Sequence, residues 1–392
     1  MKKICICLIL NIILIINILY YHIDSYANSD NLSLYSLSAV LMDGDTGRVL
    51  YGKNDNDKRA MASTTKIMTL IIALEYGNPN DIVTVSSYAS KMPDVQLGII
   101  EGEQYALKDL IYSMMLESHN DSAVAIAEHI GGSVKGFSDM MNQKAFEIGL
   151  SDTYFITPNG LDSTDEKGNH HTTAKELALI MKYCVMDSPV KEDFINICQT
   201  RSYSFSDYNK KRNFTVNNKN AFLDMAEGVI AGKTGFTGEA GYCYVCAVKH
   251  DDRTFIIALL GCGWPNNKTY KWKDAKVLLD YGINNYKRRT VFDRDFPLSP
   301  VKINKGIEKD FAKLYVDDEI SLILRDDENV GYEVYMPESI EAPLYKGDIA
   351  GNIVIFINDI PFKSVNIYFK EDIKKENYKY FFKKLINEFI ML

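Results

Sequence analysis

A disulfide framework is the first thing this 392-residue sequence lacks. Two of its seven cysteines, Cys5 and Cys7, sit at the extreme start, and the other five, Cys184, Cys198, Cys243, Cys246 and Cys262, are scattered. An odd number at irregular spacings builds no disulfide framework. Cys243 and Cys246 do form a C-x-x-C, but inside the strand-like run Gly241 to Val248, so buried apolar thiols are expected there rather than a redox pair or half a metal site. Metal ligands are also sparse. Among the six histidines His170 and His171 have Asp162 and Asp165 nearby; no second cluster completes a ligand set, and a structural loop is expected. Positive charge is lacking too: a formal net charge of −8 argues against non-specific nucleic-acid binding. There is no internal repeat, no low-complexity segment and a single long apolar run.

That run, Ile4 to Tyr21, follows Lys2 and Lys3 and precedes the small-residue site Ser25-Tyr26-Ala27. Residues 1–27 therefore read as an export signal cleaved after Ala27. At about 18 residues the run is also long enough for a retained membrane anchor. Cys5 and Cys7 are apolar filler in either case.

Helical periodicity is suggested at Ser63 to Tyr76, Leu107 to Leu116, Ser122 to Ile130, Val134 to Ile148 and Thr173 to Val185, the last opening on the capping box Thr173-Ala174-Lys175-Glu176. Strand-like runs occupy 38–43, 47–51, 229–234, 241–249 and 253–261, and an amphipathic helix lies around 271–286. Strands at both ends with helices between them predict an α+β unit over 28–290: an antiparallel sheet closed by the two termini and flanked by helices. From 291 to 370 short β runs with charged turns predict a small all-β domain. In 371–392 the residues Tyr378, Phe381, Phe382, Leu385, Ile386, Phe389 and Ile390 form one apolar stripe, with Lys379, Lys383, Lys384, Asn387 and Glu388 opposite. It is too short and too polar to span a bilayer, so it reads as a helix lying in a membrane interface, with packing on the β domain as the alternative.

Three short motifs carry the chemistry: Ser63-Thr64-Thr65-Lys66, Ser118-His119-Asn120 and Lys233-Thr234-Gly235. Each is common by chance; their order and their 55- and 115-residue intervals are not. Together they supply a serine nucleophile, an amine to activate it, a second hydroxyl, an amide and a cationic strand, the parts of acyl transfer through a serine ester. At a helix start the Ser63 N–H points toward the space before its own hydroxyl, where an oxyanion would form. Lys66 follows one turn later on the same face, and burial beside Lys233 would favour the neutral amine a base requires. Ser118 and Asn120 fall at a break between two helices, where a turn can aim both into one cleft.

At these motifs the chain resembles the penicillin-recognising serine enzymes, and within them the D-alanyl-D-alanine carboxypeptidases. The resemblance extends through Ala39 to Tyr51, Met61 to Thr69 and Phe236 to Tyr242. It implies a β-lactamase/transpeptidase-like catalytic domain, no cofactor and removal of the terminal D-alanine from peptidoglycan stem pentapeptides. It also implies covalent inhibition by β-lactams and a place on the outer face of the cytoplasmic membrane. By resemblance Ser63 is the nucleophile, Lys66 its base, and Ser118 a proton relay to the leaving amine. Asn120 holds the acyl-side amide, Lys233 and Thr234 the substrate carboxylate, Gly235 leaves room for backbone approach, and the Phe236 N–H is the second oxyanion donor. His119 departs from the family, which places a small residue or Asp there, and is expected to point outward and stay catalytically silent. The family's further Arg is also missing; only Lys268, Lys271 and Lys273 occupy that region. A class A β-lactamase shares the three motifs but needs an E-x-x-L-N segment, which Glu166-Lys167-Gly168-Asn169-His170 does not provide. An inactive wall-binding scaffold is opposed by the intact Ser63, Lys66, Ser118, Asn120 and Lys233.

Overall fold

Strand β1, Ser38–Asp43, is buried at all six positions, as a strand covered on both faces must be. The computed structural model describes residues 32–93 and 95–390; the expected signal, with Cys5 and Cys7, lies outside them. The chain divides between Asn285 and Tyr286 into two units.

In the first unit β1 pairs on one side with β2, Val49–Lys53, through a turn containing Gly47 at φ +76°. On its other side it pairs with β5, Arg253–Leu260, whose eight residues are all buried. Next come β4, Gly241–His250, and at the edge β3, Val229–Thr237, giving the order β2-β1-β5-β4-β3 with every pair antiparallel. The two chain ends thus meet at the sheet centre, as the distribution of strands predicts.

Helix α1, Lys66–Tyr76, is buried continuously from Lys66 to Ala73, so it is a core helix rather than an amphipathic surface one. A 3-10 turn, Ala62–Thr65, leads into it. Helices α2, Leu107–Leu116, and α3, Asn120–Gly131, are separated by the three residues that include Ser118. The capping box at Thr173 is half formed. The Thr173 hydroxyl accepts from the Glu176 N–H at 3.0 Å, whereas the Glu176 carboxylate turns away to accept the Ser151 and Asp152 N–H groups and the Thr153 hydroxyl. A loop with free donors outcompeted the helix's own first turn. A helix at Lys191–Gln199 and a hairpin of Ser202–Ser206 with Asn213–Asn217 also belong to the unit and carry no counterpart in the sequence reading.

The second unit is all-β up to its final helix. Its four-stranded sheet runs Leu314–Tyr315, Ile360–Phe369, Ile349–Ile357, Val330–Tyr335, and its core includes Ile303, Leu322, Ile353, Ile355, Val365 and Ile367. The cluster Lys287-Arg288-Arg289 opens a strand of this unit, paired with Ile320–Leu324. Residues 371–376 also belong to it, since Ile373 is buried in its core and bridges Leu344. The last helix is Tyr378–Ile390, started by Asn377, whose side chain accepts the Tyr380 N–H at 3.0 Å. All seven stripe residues are exposed. No helix among the described residues is long and apolar enough to cross a membrane.

Candidate active site

Ser63 occupies the 3-10 turn that the Ala62–Thr65 backbone makes ahead of α1, and Lys66 is the first residue of the helix proper. One turn of separation brings the two side chains together: Lys66 Nζ lies 2.8 Å from Ser63 Oγ. The same nitrogen also reaches Asn120 Oδ1 at 2.8 Å and the Asn159 carbonyl at 2.6 Å. Lys66 is 0 % exposed. Burial, reinforced by the Lys233 charge and opposed by Asp121, drives its pKa well below that of a free lysine.

Lys233 stands on edge strand β3 and donates to Ser118 Oγ at 2.9 Å and to the Thr234 carbonyl at 2.8 Å. Burial pulls its pKa down to about 7. Ser118 is half-buried and sits at φ +69°, a left-handed conformation rare for a residue with a Cβ. Asn120, buried, donates from Nδ2 to the Pro93 carbonyl at 3.0 Å while its Oδ1 takes Lys66. Thr234 is half-buried, Gly235 is buried against the Ser63 backbone, and Phe236 is exposed with its ring 4.6 Å from that of Tyr242. The seven residues singled out in the three motifs, together with Phe236, therefore gather where the edge strand meets the Ser63 turn and the α2–α3 break.

Two participants carry no motif. The Asn159 carbonyl, which also stands 3.4 Å from Ser63 Oγ, is a backbone group with no residue signature. Its loop does carry one, because Pro158-Asn159-Gly160 is a turn signal and Gly160 takes φ +83°. A Cβ there would strike the Ala62 carbonyl at 2.0 Å. His170 fastens the same loop: its Nδ1 accepts the Ile156 N–H at 2.9 Å, and its Nε2 meets Thr65 Oγ1 at 2.9 Å. Thr65 Oγ1 donates in turn to the Ala62 carbonyl at 2.8 Å. Burial pushes the His170 pKa down to about 3, keeping the ring neutral so that it can accept on one side and donate on the other. Of its suggested metal partners, Asp162 accepts from Thr237 and Asp165 from the Tyr154 hydroxyl.

His119 does not point outward. It is buried, with Nδ1 2.8 Å from Ser113 Oγ on α2 and Nε2 3.5 Å from the Glu117 carboxylate. Those two partners, six residues and two residues back in the chain, hold the ring inward. Cys243 and Cys246 are both buried on β4, and burial pushes each thiol up to about 12. Of the three lysines where an Arg is missing, Lys268 and Lys273 are exposed. Lys271 is buried, its Nζ over the rings of Tyr242 at 4.6 Å and Trp272 at 4.7 Å. Glu166 is exposed in the turn between Thr164–Asp165 and Gly168–Asn169.

The D-alanyl-D-alanine carboxypeptidase family model matches residues 25–263. This chain belongs to that family. A second model, the C-terminal domain of penicillin-binding protein 5, matches residues 286–375. The carboxypeptidase DacF of Bacillus subtilis is 32% identical over 364 residues, covering 90% of this chain and 89% of DacF. DacA of Haemophilus influenzae is 30% identical over 354 residues, covering 85% and 84%. Among solved structures, penicillin-binding protein 5 from Haemophilus influenzae superposes with a TM-score of 0.70 at 27% identity, covering 88% of this chain and 99% of that one. Family membership and site geometry thus agree on a serine hydrolase.

Proposed function

We propose that the protein is a serine-type D-Ala-D-Ala carboxypeptidase that removes the terminal D-alanine from peptidoglycan stem pentapeptides. The observation that carries the reading is the Lys66 Nζ to Ser63 Oγ contact of 2.8 Å, made by an amine whose buried setting favours the neutral form. In the forward step Lys66 takes the Ser63 hydroxyl proton as Oγ bonds to the penultimate D-alanine carbonyl carbon. The Ser63 and Phe236 N–H groups receive the oxyanion. Collapse breaks the C–N bond, and the proton passes from Lys66 through Ser118 to the departing amine. Water then hydrolyses the Ser63 ester. Asn120 holds the acyl-side amide, and Lys233 with Thr234 holds the terminal carboxylate. A β-lactam acylates the same serine. The reading needs no cofactor.

An exported enzyme at the outer face of the cytoplasmic membrane fits this substrate, and the tail helix supplies an interfacial anchor through its exposed stripe. The test is D-alanine release from a pentapeptide ending in D-Ala-D-Ala, purified wild type against Ser63→Ala. Release and covalent penicillin labelling are expected from the first alone; equal release by both would remove the central assignment.

A further inference from the structure

Ser118 must hold an unfavourable backbone conformation to do its work. It follows Glu117, the last residue of the α2 turn, and takes φ +69°, a place helices usually give to glycine. For a residue with a Cβ this costs roughly 1 kcal/mol, so surrounding contacts must hold the turn. The Ser118 hydroxyl contributes one such contact, to Lys233. The rest are made by its neighbours.

His119 Nδ1 lies 2.8 Å from Ser113 Oγ, and Ser113 Oγ lies 2.8 Å from Ser122 Oγ. Ser113 is on α2 and Ser122 on α3, so the ring closes a side-chain bridge across the break that contains Ser118. On its other nitrogen the ring faces Glu117 Oε2 at 3.5 Å. Glu117 Oε1 is itself fixed by the Asn217 N–H at 3.0 Å and by Lys219 Nζ at 3.2 Å. A carboxylate only accepts, which assigns the hydrogen to Nε2 and leaves Nδ1 to accept from Ser113. Ser113 is then free to accept from Ser122. Every donor and acceptor of the bridge is thereby assigned, and all of it is buried apart from Glu117. Neither nitrogen reaches Ser63 or Lys66.

We propose that His119 is a positioning residue for the relay hydroxyl: tied to Ser113 and Glu117, its ring holds Ser118 in the left-handed turn that keeps Oγ on Lys233. The inference rests on the reading of Ser118 as the group that returns a proton to the leaving amine.

That reading provides a readout that mere destabilisation would not move. An amine must be protonated to leave; a thiolate of a thiolester need not be. Purified full-length variants are compared on an acyl-D-Ala-D-Ala peptide and on a thiolester of the same acyl group, with rates taken per penicillin-titrated site. His119→Ala is expected to lower amide kcat/KM roughly ten- to a hundredfold, the size of effect a small misplacement produces, while the thiolester falls by less than about threefold. His119→Asn, which restores an acceptor to Ser113, should recover most of the amide rate. Ser113→Ala removes one small buried hydroxyl from the far end of the bridge, leaves the ring in place, and should show the same split in weaker form. Ser118→Ala is the control. If it treats both substrates alike, the relay reading fails and this inference falls with it. If it splits them while His119→Ala and Ser113→Ala slow both substrates equally, or neither, the relay stands and the positioning role of His119 is overturned.

Discussion

A Cβ added to Gly235 would stand 2.8 Å from the Ser63 backbone nitrogen and 3.0 Å from that of Thr64. Edge strand β3 and the Ser63 turn therefore touch backbone to backbone, a contact that only a residue without a side chain permits. Because the obstacle is main chain, it cannot swing aside as a side chain would. Gly235→Ala should force the strand away from the serine and reduce the rate of penicillin labelling about a hundredfold, the scale of an ångström-sized misplacement. As an edge strand β3 can yield outward, so the melting temperature should change little. Wild-type labelling in this variant would show that strand and serine need not meet so closely.

In the proposed mechanism Lys66 and Lys233, the two buried lysines of the site, set the pH dependence. Lys66 is needed neutral, so acylation rises as pH climbs through its lowered pKa. Lys233 is needed charged, and in the free enzyme it loses its proton above about pH 7. On the alkaline side kcat/KM should therefore fall by about tenfold per pH unit once Lys233 is neutral. The kcat profile should hold to higher pH, because a bound carboxylate favours the charged lysine. An arginine cannot be deprotonated in this range, so Lys233→Arg should lose the decline near pH 7 even if its rate is lower throughout. A decline with the same midpoint in that variant would assign the limb to another group.

His170 contributes to acid stability with a definite sign. Its folded pKa of about 3 lies below the ordinary 6.5, so between those values the unfolded chain binds the extra proton. Stability linked to this ring is complete above about pH 6.5 and is lost as pH falls toward 3. At 1.36 kcal/mol per pKa unit the amount at stake is on the order of a few kcal/mol. His170→Gln keeps a donor and an acceptor but does not titrate. Its unfolding free energy, measured in urea from pH 4 to 6.5, should fall less steeply with acid than wild type. Identical slopes would mean that acid sensitivity arises entirely from the carboxylates.

The motif residues were legible because each motif is a local pattern whose parts share a face or a turn: Ser63 and Lys66 are one helical turn apart whatever the rest of the chain does. The central sheet was legible because runs such as 255–260 are apolar throughout. The Asn159 carbonyl was not, since any residue carries a carbonyl and only the fold of its loop brings this one to Lys66. The direction of His119 depended on Ser113, six positions back on another helix, a distance at which neither period two nor period 3.6 applies. The hairpin of 202–206 and 213–217 did carry a signal, Tyr203, Phe205, Phe214 and Val216 alternating with polar residues, but its strands are only five residues long, with two buried positions between them. The same shortness hid the ladder of Ile82–Thr84 with Gln104–Ala106.

The tail helix separates cleanly from the unit that carries it. Residues 371–376 remain paired within the β unit, with Ile373 buried and the Glu376 N–H donating to the Lys305 carbonyl, so a truncation that spares the fold must begin at Asn377. Beyond it, the stripe from Tyr378 to Ile390 offers four aromatic and three aliphatic side chains to the outside, with Tyr378 82% and Phe389 78% exposed. Each would contribute roughly 1.5–3 kcal/mol if fully buried, and interfacial insertion recovers a fraction of that. Even a third of the sum would hold a folded protein at a lipid surface. Protein expressed from Asn28 onward should therefore sediment with vesicles, while the same protein lacking 377–392 should stay in solution with unchanged penicillin labelling. Equal partitioning of the two forms would mean that the stripe packs against protein and that the anchor lies elsewhere.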